Sequence, residues 1–174
     1  MDFGLTKYNW YGQLGDGTTT NRTRPVQVMS GVQAVAAGFE HTMILKTDGT
    51  LWATGWNDCG QLGDGTTTNR SRPVQVMSGV QAISAGALHT MILKTDGTLW
   101  ATGSNDYGKL GDGTTASRST PVQVMRDVQA VAAGDYHTMI LKTDSTLWAT
   151  GGNDDCQLGD GTIIDRQTPV QISF

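Results

Sequence analysis

Apolar residues in this chain fall in short runs divided by stretches rich in Gly, Asp, Thr and Asn, and the same runs return in the same order. Val32-Gln-Ala-Val-Ala-Ala-Gly38 reads as a first strand, its small side chains suited to a crowded position where several strands converge near an axis. His41-Thr-Met-Ile-Leu-Lys-Thr47 reads as a second, with apolar residues at consecutive positions as in a strand covered on both faces. Thr47-Asp48-Gly49-Thr50 then predicts a tight hairpin of type I′, since Gly accepts the positive φ which that turn demands. Thr50-Leu-Trp-Ala-Thr-Gly55 is a third strand. A long Gly-rich loop from Asn57 to Arg72 leads to a fourth, Pro73-Val-Gln-Val76, whose initial Pro has no N–H to give and so suits an outer edge. No stretch carries helical periodicity with caps.

The pattern repeats. Gly-Asp-Gly-Thr stands at Gly15, Gly63, Gly111 and Gly159, His at 41, 89 and 137, and Trp at 52, 100 and 148, in steps of 48 residues. Full units therefore run 31–78, 79–126 and 127–174, preceded at 1–30 by a half-unit expected to hold strands three and four of a blade. The first two full units are identical at 37 of 48 positions, so the copies act as an internal alignment. Four-stranded units of this length in tandem predict an all-β protein, a β-propeller of antiparallel blades forming one domain.

The strings Ala-Ala-Gly-x-x-His-Thr and Asp-Gly-Thr-Leu-Trp-Ala-Thr-Gly-x-Asn-x-x-Gly-Gln-Leu-Gly closely resemble the repeat of the regulator of chromosome condensation family, over nearly the whole chain. The resemblance implies propeller blades, in a ring that this family usually closes with seven. Family relatives include guanine nucleotide exchange factors for a small nuclear GTPase and secreted inhibitors of β-lactamase. Three units and a half do not make such a ring, and two chains would supply eight second halves but only six first halves. Self-association, with a dimer as first expectation, ranks ahead of a fragment of a longer propeller and of an engineered repeat, because exposed blade faces favour association. Copies this alike suggest amplification of a bacterial kind.

Charge and composition narrow the function. With 12 Lys and Arg against 16 Asp and Glu, a net charge of −4 and a pI near 5.1, the chain lacks the cationic surplus of a nucleic-acid surface. No apolar run approaches a membrane span, and Met-Asp-Phe-Gly-Leu-Thr-Lys has neither the basic nor the apolar segment of an export signal. The chain as written reads as cytoplasmic, or as secreted if it is part of something longer. Hydrophobic residues at 37% suffice for a core. Cys59 and Cys156 form neither a disulfide framework nor a metal-ligand spacing.

Candidate chemistry is sparse. His41, His89 and His137 are the only histidines; each follows a Gly-x-x turn and precedes Thr, which suits a structural hydrogen bond repeated per blade, while a ring of the three around the axis would be a metal site. The Gly-Asp-Gly-Thr loops lack the Lys-Ser/Thr of a phosphate loop and the acidic series of a calcium loop, so Asp is expected to bond its own turn. Trp52, Trp100 and Trp148 read as packing between blades. No enzyme activity, cofactor or metal is expected.

Where the copies differ is more telling. Differences cluster between strands one and two, at Phe39, Glu40, Leu88, Asp135 and Tyr136, and after strand three, at Trp56, Asp58, Tyr107, Asp154 and Asp155, with Tyr8, Trp10 and Tyr11 in the half-unit. In an antiparallel meander both connections emerge at the same end, so one rim varies while the other stays constant. Aromatic and acidic tips on a fixed scaffold point to a non-enzymatic module that binds a protein partner through that rim. Drift at tolerant loops is the competing explanation, and the family resemblance keeps an exchange-factor role and a self-assembling propeller piece as alternatives. Thr68-Asn69, Ala116-Ser117 and Ile164-Asp165 are candidates to extend the surface.

Overall fold

The computed structural model describes residues 8–173. Twelve strands form three four-stranded antiparallel sheets in strict chain order. The first holds β1 (Val32–Ala37), β2 (His41–Lys46), β3 (Leu51–Gly55) and β4 (Arg70–Met77). The second holds β5 (Val80–Ala85), β6 (His89–Lys94), β7 (Leu99–Gly103) and β8 (Arg118–Met125). The third holds β9 (Val128–Ala133), β10 (His137–Lys142), β11 (Leu147–Gly151) and β12 (Arg166–Ile172). These are blades of a propeller laid side by side in an array that is not closed. The small-residue strands β1, β5 and β9 are neighbours across blades, as their Ala content requires.

Register is the same in each blade: His41 stands opposite Gly55, His89 opposite Gly103 and His137 opposite Gly151. Strand two is buried on both faces in the middle blade, where His89 to Leu93 are all inaccessible. Blades meet through two apolar clusters. In the first, Met43, Leu45 and Leu51 pack with Val80 and Ile92; in the second, Met91, Leu93 and Leu99 pack with Val128 and Ile140. Trp100 and Trp148 lie against the cluster of the preceding blade, as expected of them, and each indole N–H donates to a Thr two residues earlier. Each buried Leu, Ile or Met contributes about 1.5–3 kcal/mol, so these junctions carry much of the fold.

Three local expectations need correction. The β2–β3 hairpin is not type I′, which needs two residues at positive φ: only Gly49 has it, and the Lys46 N–H donates to the Thr50 carbonyl around the three-residue loop Thr47-Asp48-Gly49. In the third blade Ser145 occupies that left-handed position at φ 66°, a conformation costly for any residue with a Cβ. Pro73, Pro121 and Pro169 stand inside strand four and not at its start, because the strand begins three residues earlier; strand four is the outer edge, where a missing N–H leaves no ladder bond unmade. The half-unit forms no strand among its described residues. Pro25 to Val28 correspond to strand four, and the strand three that would pair with them falls on residues 3–7, outside the described residues.

Candidate partner-binding rim

The variable rim is built by two loops per blade that are tied to each other. The Trp56 N–H donates to the Glu40 carbonyl at 2.8 Å, Ser104 N–H to Leu88 and Gly152 N–H to Tyr136 at the same distance. The connection after strand one is thereby clamped to the connection after strand three, and the two variable sets share one end of each sheet.

The long loop after strand three is organised by one buried Asn. Asn57, wholly inaccessible, accepts from the Leu62 N–H and donates to the Asp64 carboxylate and to the Thr66 and Thr68 carbonyls. Asn105 and Asn153 do the same in the other blades, and Asn9 bonds its own loop likewise. Asp64 accepts from Thr66 N–H and hydroxyl and from Arg70, so Asp bonds its own turn as expected. In the third blade, hydrogen bonds from Thr162, then from Arg166, hold the Asp160 carboxyl down at about 2. While Thr68, Ala116 and Ile164 beside them are exposed, Asn69, Ser117 and Asp165 each accept, through the side chain, from the N–H of the organising Asn and close the loop. The variation there is among residues able to accept that bond.

On this scaffold Phe39, Trp56, Leu88, Asp135 and Tyr136 line one cavity of about 540 Å³, floored by Gly38 and Gly86 at the ends of the inner strands. Phe39 and Tyr136 are more than half exposed, whereas Trp56 and Leu88 are half-buried. Tyr136 packs edge-on against Tyr107, with ring centroids 5.7 Å apart, and on the far side of that pair Asp154 and Asp155 line a smaller cavity of about 240 Å³. Trp56 stacks obliquely with Tyr11 at 5.6 Å. Tyr8 and Trp10 stack on each other and lie outside both cavities, as do Asp58 and Glu40. Burial pushes the Glu40 carboxyl up.

Lys109 escapes a search for aromatic and acidic tips. It replaces the Gln of the other copies, its ammonium is 5.5 Å from the Tyr136 ring centroid and 3.8 Å from Asp106, and burial pulls its pKa down against the pull of Asp106, Cys59 and Asp135. The one signal for it was the Gln-to-Lys change at an otherwise constant position. It holds the Tyr107–Tyr136 wall from beneath.

The Regulator of chromosome condensation (RCC1) repeat matches at residues 8–45, 48–93 and 96–141, and a second description of that repeat matches at 32–61, 80–109 and 128–157. This chain belongs to the RCC1-repeat family. Similar solved structures include human WBSCR16, at 23% identity and TM-score 0.81 over 95% of this chain, and yeast RCC1 (Prp20) bound to Kap60, at 22% and 0.81 over 95%. Prp20p from Saccharomyces cerevisiae, from a structural study of its binding to Gsp1p and histones, matches at 23% and 0.73 over 90%. The chain spans less than half of each, covering 46%, 43% and 41% of their lengths.

The repeated histidines of these RCC1 repeats tie blades together. His41 Nε2 lies 3.0 Å from Thr90 Oγ and His89 Nε2 lies 3.1 Å from Thr138 Oγ. Each Thr hydroxyl gives its single proton to a backbone carbonyl, of Gln61 or Lys109, so the imidazole must be the donor through Nε2–H. Nδ1 is then the bare nitrogen, buried without a partner in both rings. A Cβ at Gly38 or Gly86 would overlap the ring, which explains Gly at that turn. Burial lowers His41 to about 4; burial first, then Lys109 and the other histidines, lower His89 to about 3. The rings face the next blade, and among the described residues no group of His, Cys, Asp or Glu is arranged to hold a metal. Nor, among those residues, is any helix long and apolar enough to cross a membrane, and Cys59 and Cys156 are free thiols.

Proposed function

We propose that this chain is a non-enzymatic binding module that takes a polypeptide segment carrying an apolar anchor and a Lys or Arg. One observation carries the reading: side chains that differ between copies converge from three blades on a single open apolar cavity, edged by Asp135 and neighboured by Asp154 and Asp155. Phe39, Leu88 and Tyr136 supply contact area, and the acids would steer and pair with a cation at the rim. Membership of the RCC1-repeat family supports a protein partner, since yeast RCC1 (Prp20) is seen bound to Kap60.

A randomised peptide library panned on the chain should return sequences that join an aromatic or aliphatic anchor to a basic residue. Phe39→Ser with Leu88→Ser should weaken the selected peptides at least tenfold while leaving the melting temperature within a few degrees. Peptides that bind the double variant undiminished would sink the reading. The regulator alternative rests on the same family and on Prp20p, studied for binding to Gsp1p. Accelerated nucleotide release from a small GTPase on adding the chain would favour it over simple binding.

A further inference from the structure

The two open ends of the array are the two halves of one junction. Inside the chain that junction occurs twice, with Met43, Leu45 and Leu51 of one blade against Val80, Ile83 and Ile92 of the next, and then with the residues 48 further on. At one end Val32 and Val35 of β1 are 39% and 67% exposed, whereas Val80 and Val128, the counterparts of Val32, are 3% exposed. At the other end Met139, Leu141 and Leu147 are half-buried, whereas Met43, Leu45 and Leu51 are inaccessible. The polar tie is split in the same way. Among the described residues His137 has no hydrogen-bonding Thr, and Thr42, whose hydroxyl donates to the Gln13 carbonyl just as Thr90 donates to Gln61, has no His.

We propose that a second copy of the chain docks head to tail, with the third blade of one seated on the first blade of the other and the His137 Nε2–H of one donating to the Thr42 hydroxyl oxygen of the next. A second copy is the occupant because each open face already meets, within this chain, the residues that the other open face presents. The outer part of the seat is taken by residues 8–28, which accept from Thr54 at the Gly12 carbonyl and donate from Gly17 to Ser71, as Gly60 and Gly65 do in the next junction. The incoming blade brings its own loop and strand four for that place, so residues 8–28 are displaced. The exchange is like for like except at Cys156, which stands where Gly12, Gly60 and Gly108 lie and where a Cβ would overlap the facing strand-four backbone, Ser71 in this seat, so the incoming loop shifts outward there and the inner contacts of β1 and β10 supply the gain.

Two exposed positions test this without touching the core. Val35 lies in β1, and Ala132 in β9 matches Ser84, whose hydroxyl receives the Ala133 N–H of the next blade at 3.0 Å. Light scattering of the full chain over a dilution series should give masses above 18.5 kDa that fall on dilution. Val35→Asp or Ala132→Glu should each leave a monomer that keeps the melting temperature of the dilute wild type at every concentration. An equimolar mixture of the two variants keeps one intact pair of faces and should give a dimer containing one of each, and nothing larger. A wild-type monomer at every concentration, association surviving in either variant, or failure of the mixture to pair would overturn the proposal.

Discussion

At the scale of single residues, the rim depends more on a buried amide than on the aromatics it displays. Asn57 has both ends of its amide engaged in the loop that it closes, and no other side chain of its length offers a donor and an acceptor on one planar group. Asn57→Ala leaves the Leu62 N–H and two carbonyls without partners in a site closed to water. The expected loss is about 2–4 kcal/mol, read as a lower urea midpoint with an unchanged slope. Asn57→Asp should be no rescue, because it sets a second carboxylate beside Asp64. Asn57 was visible in the sequence only as a constant letter in Gly-x-Asn-x-x-Gly; its role depends on Thr66 and Thr68 curling back over it, which spacing alone does not reveal. Trp56 shows the opposite limit. Its sequence position makes it an aromatic tip of the variable rim, and the structure makes it partly structural, half-buried against Tyr11 with its indole nitrogen shut from solvent and unpartnered.

At the scale of elements, most of the fold was legible. Short apolar runs, the turn signals between them and the 48-residue step located the twelve strands and the meander, because these depend on near neighbours. What was not legible was the partner across each junction: the recurring His suits one hydrogen bond per blade without naming its partner, and His41 makes that bond to Thr90 of the following blade. The junction makes stability depend on pH. His41 and His89 are folded in the neutral form, with pKa values of about 4 and 3 against an ordinary 6.5, so between those values the unfolded chain binds protons that the folded chain refuses. Stability should therefore fall as pH drops below 6.5, by an amount on the order of a few kcal/mol for the pair, and the contribution levels off below pH 3. Chemical denaturation at pH 7.0 and pH 4.5 checks this above the range in which the turn carboxylates protonate. His41→Asn should lower stability at pH 7 and flatten the slope, and an unchanged slope would remove His41 from the account.

At the scale of the whole molecule, a row of blades has no single core, and each blade is held by the neighbours on its two faces. The second blade has a neighbour on both sides, and Met91, Ile92, Leu93 and Leu99 are all at most 1% exposed. Among the described residues, the first blade has residues 8–28 over one face, with Leu14 still 41% exposed, and the third has no further blade beyond it, with Met139 and Leu141 half-buried. Local opening should follow that order, since the free energy for exposing an amide is set by the contacts that must break. Hydrogen exchange of the dilute chain should be slowest in β6 and β7, faster in β2 and β3, and fastest in β10 and β11. Uniform protection across the three blades would mean that the array opens as one unit and that the junctions are stronger than their buried area suggests. Raising the protein concentration separates the internal junctions from the head-to-tail contact, because only a second copy can cover the outer faces: protection should rise in β1 and β10, and amides near Gly12 and Gly17 should lose theirs as residues 8–28 give up their seat, while β6 stays as it was.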